Sequence, residues 1–355
     1  MGNTIDRDTE NQGMQKYQAG VAAQNIGEQN TIQRLQKPDQ RPKRIVLFND
    51  LPGYGKVALA AMVPLLSRMG HFTCQIPTAV VSNTLDFGKF RIQDMTDYMR
   101  DTIKVWDELG FDPDCICTGF VLSEEQVELI GDYIRSRKPR TSGKQNVGTT
   151  QRVDKAQNIG KNPDANEHSK ASETWNDNER LVMVDPIMAD GGKLYNGIGM
   201  ERVEAMRKLV SYSDVMVPNM TEAGFLTGIC PGREQASAAE LRELVDGLHK
   251  LSGKSVVITS AQDSETGEHL VCGYDHKTNQ YFRVPFTFLP VRVAGSGDIF
   301  STVMTGKLLN GESLETAVRE AVRVLTALIR ENQDHLDEYK GILVERYWEI
   351  LEEEN

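Results

Sequence analysis

The chain has 355 residues, 39% of them hydrophobic, and carries a formal charge of −11 with a pI near 5.2. That is ample apolar material for a globular core, and the acidic balance argues against broad electrostatic binding to nucleic acid or to anionic membranes. No stretch approaches the roughly 20 apolar residues that span a bilayer and no signal peptide is visible, so a cytoplasmic protein with small-molecule partners is expected.

Residues 1–43 are rich in Gln, Asn and Asp and show no sustained period, which predicts a flexible extension ahead of a single domain over 44–355. The first apolar run, Ile45 to Phe48, has the length of a buried strand and gives way to Asn49-Asp50-Leu51-Pro52-Gly53-Tyr54-Gly55. A helical pattern follows over Val57 to Met69. Cys115 to Thr118 reads as a second strand; its two cysteines, one residue apart, fall on one face and are expected as buried free thiols rather than half of a metal site. Pro139 to Asn178 is poor in large apolar residues and is expected as a disordered insertion. Leu181 to Val184 then runs into Asp185-Pro186, Val215 to Val217 into Pro218-Asn219-Met220-Thr221-Glu222, and Val256 to Ile258 into Thr259-Ser260. Helical patterns over Leu241 to Leu251 and from Leu314 to Leu328 complete an alternation of strands and helices. Such alternation predicts an α/β fold with a mostly parallel sheet flanked by helices on both faces, all strand carboxyl ends along one edge. Ligands bind at that edge.

Every one of these strands ends in polar groups. Singly, each has a dull explanation as a turn former or cap. Their shared position is informative. Asp185 and Glu222 are candidates to hold Mg²⁺, directly or through water, because that ion prefers oxygen ligands and keeps several waters beside substrate phosphates. The richest segment is Val293-Ala294-Gly295-Ser296-Gly297-Asp298, two glycines and a carboxylate at the threshold of a helix whose apolar residues recur at Ile299, Phe300, Val303, Met304 and Leu308. Glycines allow close backbone approach to an anion, and first-turn amides point at it with the helix dipole behind them. Asp298 either caps this helix or takes a proton from an alcohol attacking a bound phosphate. Gly53-Tyr54-Gly55-Lys56 is not a P-loop: the first glycine is misplaced, and Val57 stands where a Ser or Thr would bind magnesium.

On these residues the chain resembles the ribokinase superfamily, within it the pyridoxal kinase branch, over about Arg44 to Glu349 apart from the insertion. Ala294 to Asp298 is similar to the anion-hole motif of that family, which implies Asp298 as catalytic base and the amides of Gly295, Ser296 and Gly297 as stabilisers of the transferring phosphoryl group. Asn219-Met220-Thr221-Glu222 resembles the Asn-x-x-Glu motif that organises magnesium and phosphates. Asp185 to Tyr195, through Asp190, resembles the segment bordering the ATP phosphates; with Thr259 and Ser260 these make the expected nucleotide site. Pro77 to Asn83, with Thr78, Ser82 and Asn83, resembles the stretch that crosses the substrate pocket, and Thr84 to Phe90 the lid beyond it.

The resemblance implies a ribokinase-like fold and ATP-dependent phosphorylation of the 5′-hydroxymethyl group of a vitamin B6 vitamer. It also implies Mg²⁺ with ATP as phosphoryl donor, a monovalent cation such as K⁺ as a candidate second ion, and a homodimer. One departure stands out: Asn49-Asp50 replaces the Ser-His pair usual after the first strand. Asp50, and Tyr54 beyond it, are therefore expected on the side of the substrate ring, with Asp50 accepting from a protonated ring nitrogen or an exocyclic amine. Hydroxymethylpyrimidine is the alternative substrate, and a noncatalytic ligand-binding protein the more distant alternative.

Overall fold

The computed structural model describes residues 41–137, 175, 179–336 and 341–352. The expected extension over 1–43 lies outside this set up to residue 40, and so does the expected insertion over 139–178 except for Trp175. Trp175 packs against the core, with the Lys277 amine 4.3 Å from its ring centroid.

The chain folds as β1 (Arg44–Pro52), α1 (Ala58–Arg68), β2 (Phe72–Val81), β3 (Ile92–Asp94), α2 (Thr96–Glu108), β4 (Cys115–Thr118), α3 (Glu124–Ser136), β5 (Leu181–Val184), β6 (Ala189–Asp190), β7 (Lys193–Leu194), α4 (Met200–Val210), β8 (Val215–Met216), α5 (Met220–Thr227), β9 (Gln235–Ala236), α6 (Ala238–Ser252), β10 (Ser255–Asp263), β11 (His269–Asp275), β12 (Gln280–Pro285), α7 (Ser296–Leu309), α8 (Leu314–Asn332) and α9 (Glu349–Glu352). Its main sheet runs β12-β11-β10-β8-β5-β4-β1-β2-β3, with β9 beside β10. From β2 across to β10 the neighbours are parallel; β3 at one edge and β11 and β12 at the other run antiparallel.

Period-two geometry explains why the central strands read as unbroken apolar runs. Ile45, Leu47, Cys115, Cys117, Leu181 and Met183 enter one core layer, where α1, α7 and α8 cover them. Val46, Phe48, Ile116, Val182 and Val184 enter the opposite layer, beneath α3, α4, α5 and α6. A strand buried on both faces has no polar face to alternate with. Cys115 and Cys117 lie side by side with their sulfurs 3.6 Å apart, both buried and free, and burial pushes the Cys115 thiol well up.

Two strands run further than their apolar runs. β1 continues past Asn49 to Pro52, and β10 past Thr259 and Ser260 to Asp263, each through an irregularity in register. Sequence reading stops both strands too early because the polar residues at the irregularities look like turn residues. Bulges of this kind re-aim side chains beside active sites. Here they put Asp50 and Ser260 out of the ladder, and Ser260 sits at φ 54°, a left-handed conformation costly for a residue other than glycine.

Candidate active site

The Gly295 to Asp298 turn starts α7 at the carboxyl edge of the sheet. Gly295 is the N-cap at φ +80°, and a Cβ there would lie 2.8 Å from the Lys56 carbonyl oxygen, so both the conformation and the packing require glycine. No side chain caps α7. The capping role weighed for Asp298 is therefore corrected: its carboxylate leaves its own helix and reaches the start of α1. Oδ2 accepts from the Ala58 backbone N–H at 2.9 Å, and Oδ1 accepts from Asn49 Nδ2 at 3.1 Å. Burial raises the Asp298 pKa, while these two donors oppose the rise. Ala58 presents its amide from φ 47°, so the backbone is strained at the contact that holds Asp298.

Asn49 is the residue that sequence reading undervalued. It is buried in β1, and besides donating to Asp298 it accepts from the Phe120 amide at 2.8 Å and the Asp50 amide at 3.0 Å. A Cβ on Gly119 would collide with it, so that glycine leaves its space. Asp50 follows with a carboxylate that accepts from no other residue among the described ones. Burial first, then the Asp298 charge, push its pKa from 3.8 to about 7.

Asn219 and Glu222 form a capping box at the start of α5. Asn219 Oδ1 accepts from Glu222 N and Glu222 Oε2 from Asn219 N, both at 2.9 Å. Glu222 Oε1 also accepts from Met188 N at 3.0 Å and Ala189 N at 3.4 Å, and Asn219 Nδ2 donates to the Ala189 carbonyl at 2.7 Å. The pair thereby clasps the segment after β5 that carries Asp185 and Asp190. Glu222 is almost fully buried, and burial lifts its pKa to about 8 against the pull of its three backbone donors. Asp185 is also buried; burial, then the charges of Glu222 and Asp298, push its pKa well above the carboxylate range, with Ser301 Oγ 3.5 Å away. Tyr195 is part-exposed and does not line the cleft, its phenol made less acidic by burial and by Glu222, Asp190 and Asp185.

A cleft of about 560 Å³ opens beside these groups. Asp190, Asn219, Thr259, Ser260, Ser296 and Gly297 line its polar end. Sequence reading missed the apolar end, formed by Phe286, Phe288, Val322, Leu325 and Ile329, where His269 stacks on Phe288 with ring centroids 4.4 Å apart. The signal was a second stripe on α8: Val322, Leu325 and Ile329 follow a helical spacing offset from the core stripe of Ala317, Ala321, Val324 and Leu328. Such a cleft suits a ligand with a flat apolar head and a polar, anionic tail.

The expected substrate-side residues divide. Tyr54 is exposed, its ring edge-on to Phe87 at 5.6 Å. Ser82 Oγ donates to Asn83 Oδ1 and accepts from the Arg91 amide, and Asn83 Nδ2 donates to the Thr84 and Lys89 carbonyls, so these two side chains knit the Thr84 to Phe90 loop. Thr78 is fully buried and donates its hydroxyl to the Phe120 carbonyl at 2.7 Å; it braces β2 and offers no free hydroxyl to a substrate.

The family model for phosphomethylpyrimidine kinase matches residues 158–343, just over half of the chain. This chain belongs to that family. A solved protein of Bacteroides thetaiotaomicron, assigned as a phosphomethylpyrimidine kinase and crystallised in a form with pyridoxal, is 30% identical with a TM-score of 0.74, covering 88% of this chain and 97% of its own. The pyridoxine/pyridoxal/pyridoxamine kinase of Bordetella avium is 37% identical over 150 residues, 41% of this chain and 48% of that protein. A pyridoxal kinase homologue of Caenorhabditis elegans is 32% identical over 155 residues, 42% of this chain and 46% of the relative. The chain thus spans about half the length of these curated relatives in the aligned stretch. The fold is ribokinase-like, as the solved relatives have it.

Proposed function

We propose that this protein transfers the γ-phosphoryl group of ATP to the 5′-hydroxymethyl group of a vitamin B6 vitamer. The observation that carries the reading is the setting of Asp298: a buried carboxylate with raised pKa, held by Asn49 and Ala58, at the start of a helix whose Ser296 and Gly297 line the cleft. ATP lies with its base against Phe286, Val322 and Ile329 and its phosphates toward Asn219, Thr259 and the α7 amides. Asp298 accepts the proton of the attacking alcohol, and the amides of Gly295 to Asp298 stabilise the phosphoryl oxygens as charge moves onto them. Asp50 faces the ring from the other side of Asp298 and favours a protonated nitrogen or an amine.

The donor set fits Mg²⁺. Asp185, Glu222 and Asp298 gather negative charge that no nearby cation balances in their pKa values, and the donors are hard oxygens. Among the described residues no cluster of three or more acidic, His or Cys side chains is arranged to hold a metal by itself; magnesium is commonly held by one or two carboxylates together with substrate phosphates and water. Asp185 and Glu222 would hold the ion, and Glu222, which already accepts three backbone N–H groups, has the less free carboxylate of the two. When bound, the ion neutralises phosphate charge in the transition state. Nothing in the donor set singles out a place for K⁺. A cytosolic homodimer completes the reading; the exposed edge strand β3, with Ile92 and the neighbouring Val80, is the face offered for pairing.

A second reading takes hydroxymethylpyrimidine as the alcohol, in keeping with membership of the phosphomethylpyrimidine kinase family. Product formation from Mg-ATP with pyridoxal, pyridoxamine, pyridoxine and hydroxymethylpyrimidine in separate assays decides between them. Asp298→Asn is expected to lose about 10² to 10⁴ in turnover on the preferred alcohol. A variant with near-normal turnover would remove Asp298 as the base, and ATP binding without transfer to any of the four alcohols would remove the assigned function.

A further inference from the structure

The loop between β1 and α1 is pressed between two glycines. Lys56 has its carbonyl against Gly295 of the catalytic turn, and its backbone against Gly341 of the carboxyl-terminal segment, where a Cβ would come within 3.2 Å of its nitrogen. The Lys56 amine pairs with Glu345 of that same segment. Two residues on, Ala58 donates its strained amide to Asp298. The carboxyl-terminal segment is itself firmly seated. Ile342 and Val344 are buried in the core, the Leu343 amide donates to Asn332 of α8 at 2.9 Å, Arg323 donates to the Ile350 carbonyl at 3.0 Å, and Arg68 of α1 pairs with Glu352. We infer that residues 341–352 are a positioning clamp for the catalytic base: by holding Lys56 against Gly295 they fix the register in which Ala58 meets Asp298.

This inference rests on Asp298 as the base, but the clamp itself has a readout independent of activity. Lys56 and Glu345 are both part-exposed, and exposed pairs contribute little, so Glu345→Gln is expected to lower kcat about two- to fivefold while leaving KM for ATP unchanged. Gly341→Val, which drives a side chain into the Lys56 backbone, is expected to lower kcat tenfold or more. In the full chain, amide hydrogen exchange should quicken in peptides covering residues 53–62 and stay unchanged in those covering β4 and β10. The charge-reversed double variant Lys56→Glu with Glu345→Lys should restore most of the lost turnover and protection. Unchanged kcat and exchange in Glu345→Gln and Gly341→Val, or a double variant no better than either single one, would overturn the clamp. A wild-type protein inert toward every alcohol, yet showing the faster exchange in Glu345→Gln, would support the clamp and overturn the kinase reading instead.

Discussion

The two sides of Asp298 are built differently. Toward the cleft, side chains bind the protein's own backbone: Glu222 accepts from Met188, Ala189 and Asn219, Thr221 from Gly192, and Asn219 donates to Ala189. Toward β1 and β2, Asn49, Thr78, Ser82 and Asn83 also bind backbone groups, but Asp50 accepts from no other residue among the described ones, and Tyr54 and Phe87 stand exposed on a loop. A site for phosphates can be made of amides and helix N-termini, which only need to be held still. A site for a particular ring must present free side-chain chemistry, which a closed hydrogen-bond network would consume. On the proposed function, phosphate handling would go with the closed network and selectivity with the free groups of Asp50, Tyr54 and Phe87.

The sharpest way to break this contrast is Glu222→Ala. Three buried backbone donors would lose their acceptor, and each such loss costs about 1–3 kcal/mol, so a drop of at least about 3 kcal/mol in urea-unfolding stability is expected together with loss of turnover. Loss of turnover at unchanged stability would mean that Glu222 serves the ligand directly and that the two sides are not so different. Next in size is Gly295→Ala. Its left-handed φ and the 2.8 Å approach to Lys56 should cost about 1–3 kcal/mol, read as unfolding stability, with at least a tenfold fall in kcat as the turn is displaced. Asn49→Ala should be comparable: losing a hydrogen bond to a charged group, about 1.5–3 kcal/mol, predicts a kcat about ten- to a hundredfold lower with the KM for ATP little changed.

The same contrast explains what could be read from the chain alone. The fold was legible because strands buried on both faces announce themselves as apolar runs such as Ile45 to Phe48 and Leu181 to Val184, with helices between them. The Gly295 to Asp298 turn and the Asn219 to Glu222 capping box were legible because their groups are close in sequence. What was not legible depends on partners far apart in the chain. Asn49 meets Asp298 across 249 positions, Thr78 spends its hydroxyl on Phe120, and the apolar end of the cleft joins Phe286 to Ile329. The hairpin of β11 and β12 and the short edge strand β3 also escaped, since their strands alternate with polar residues or are only three residues long.

The smallest expected effect is also the one that tests the ring side. Asp50 has its pKa raised from 3.8 to about 7, so the folded protein holds a proton there that the unfolded chain has released. Stability from this group is complete below about pH 4 and is lost as pH rises through about 7, because the ionised form is penalised by burial and by Asp298. Asp50→Asn removes that penalty, so urea unfolding should find the variant more stable relative to wild type at pH 8 than at pH 5. Selectivity should move the opposite way. A carboxylate that meets a protonated nitrogen or an amine loses a charge-assisted contact on becoming an amide, and the preference for pyridoxamine over pyridoxal is expected to fall about three- to tenfold, or about 1 kcal/mol. Equal KM rises for both vitamers would point to the ring nitrogen they share, whereas unchanged KM for both, with the pH-dependent stability gain intact, would place Asp50 beside Asp298 as an electrostatic neighbour and hand ring recognition to the Tyr54 and Phe87 loop.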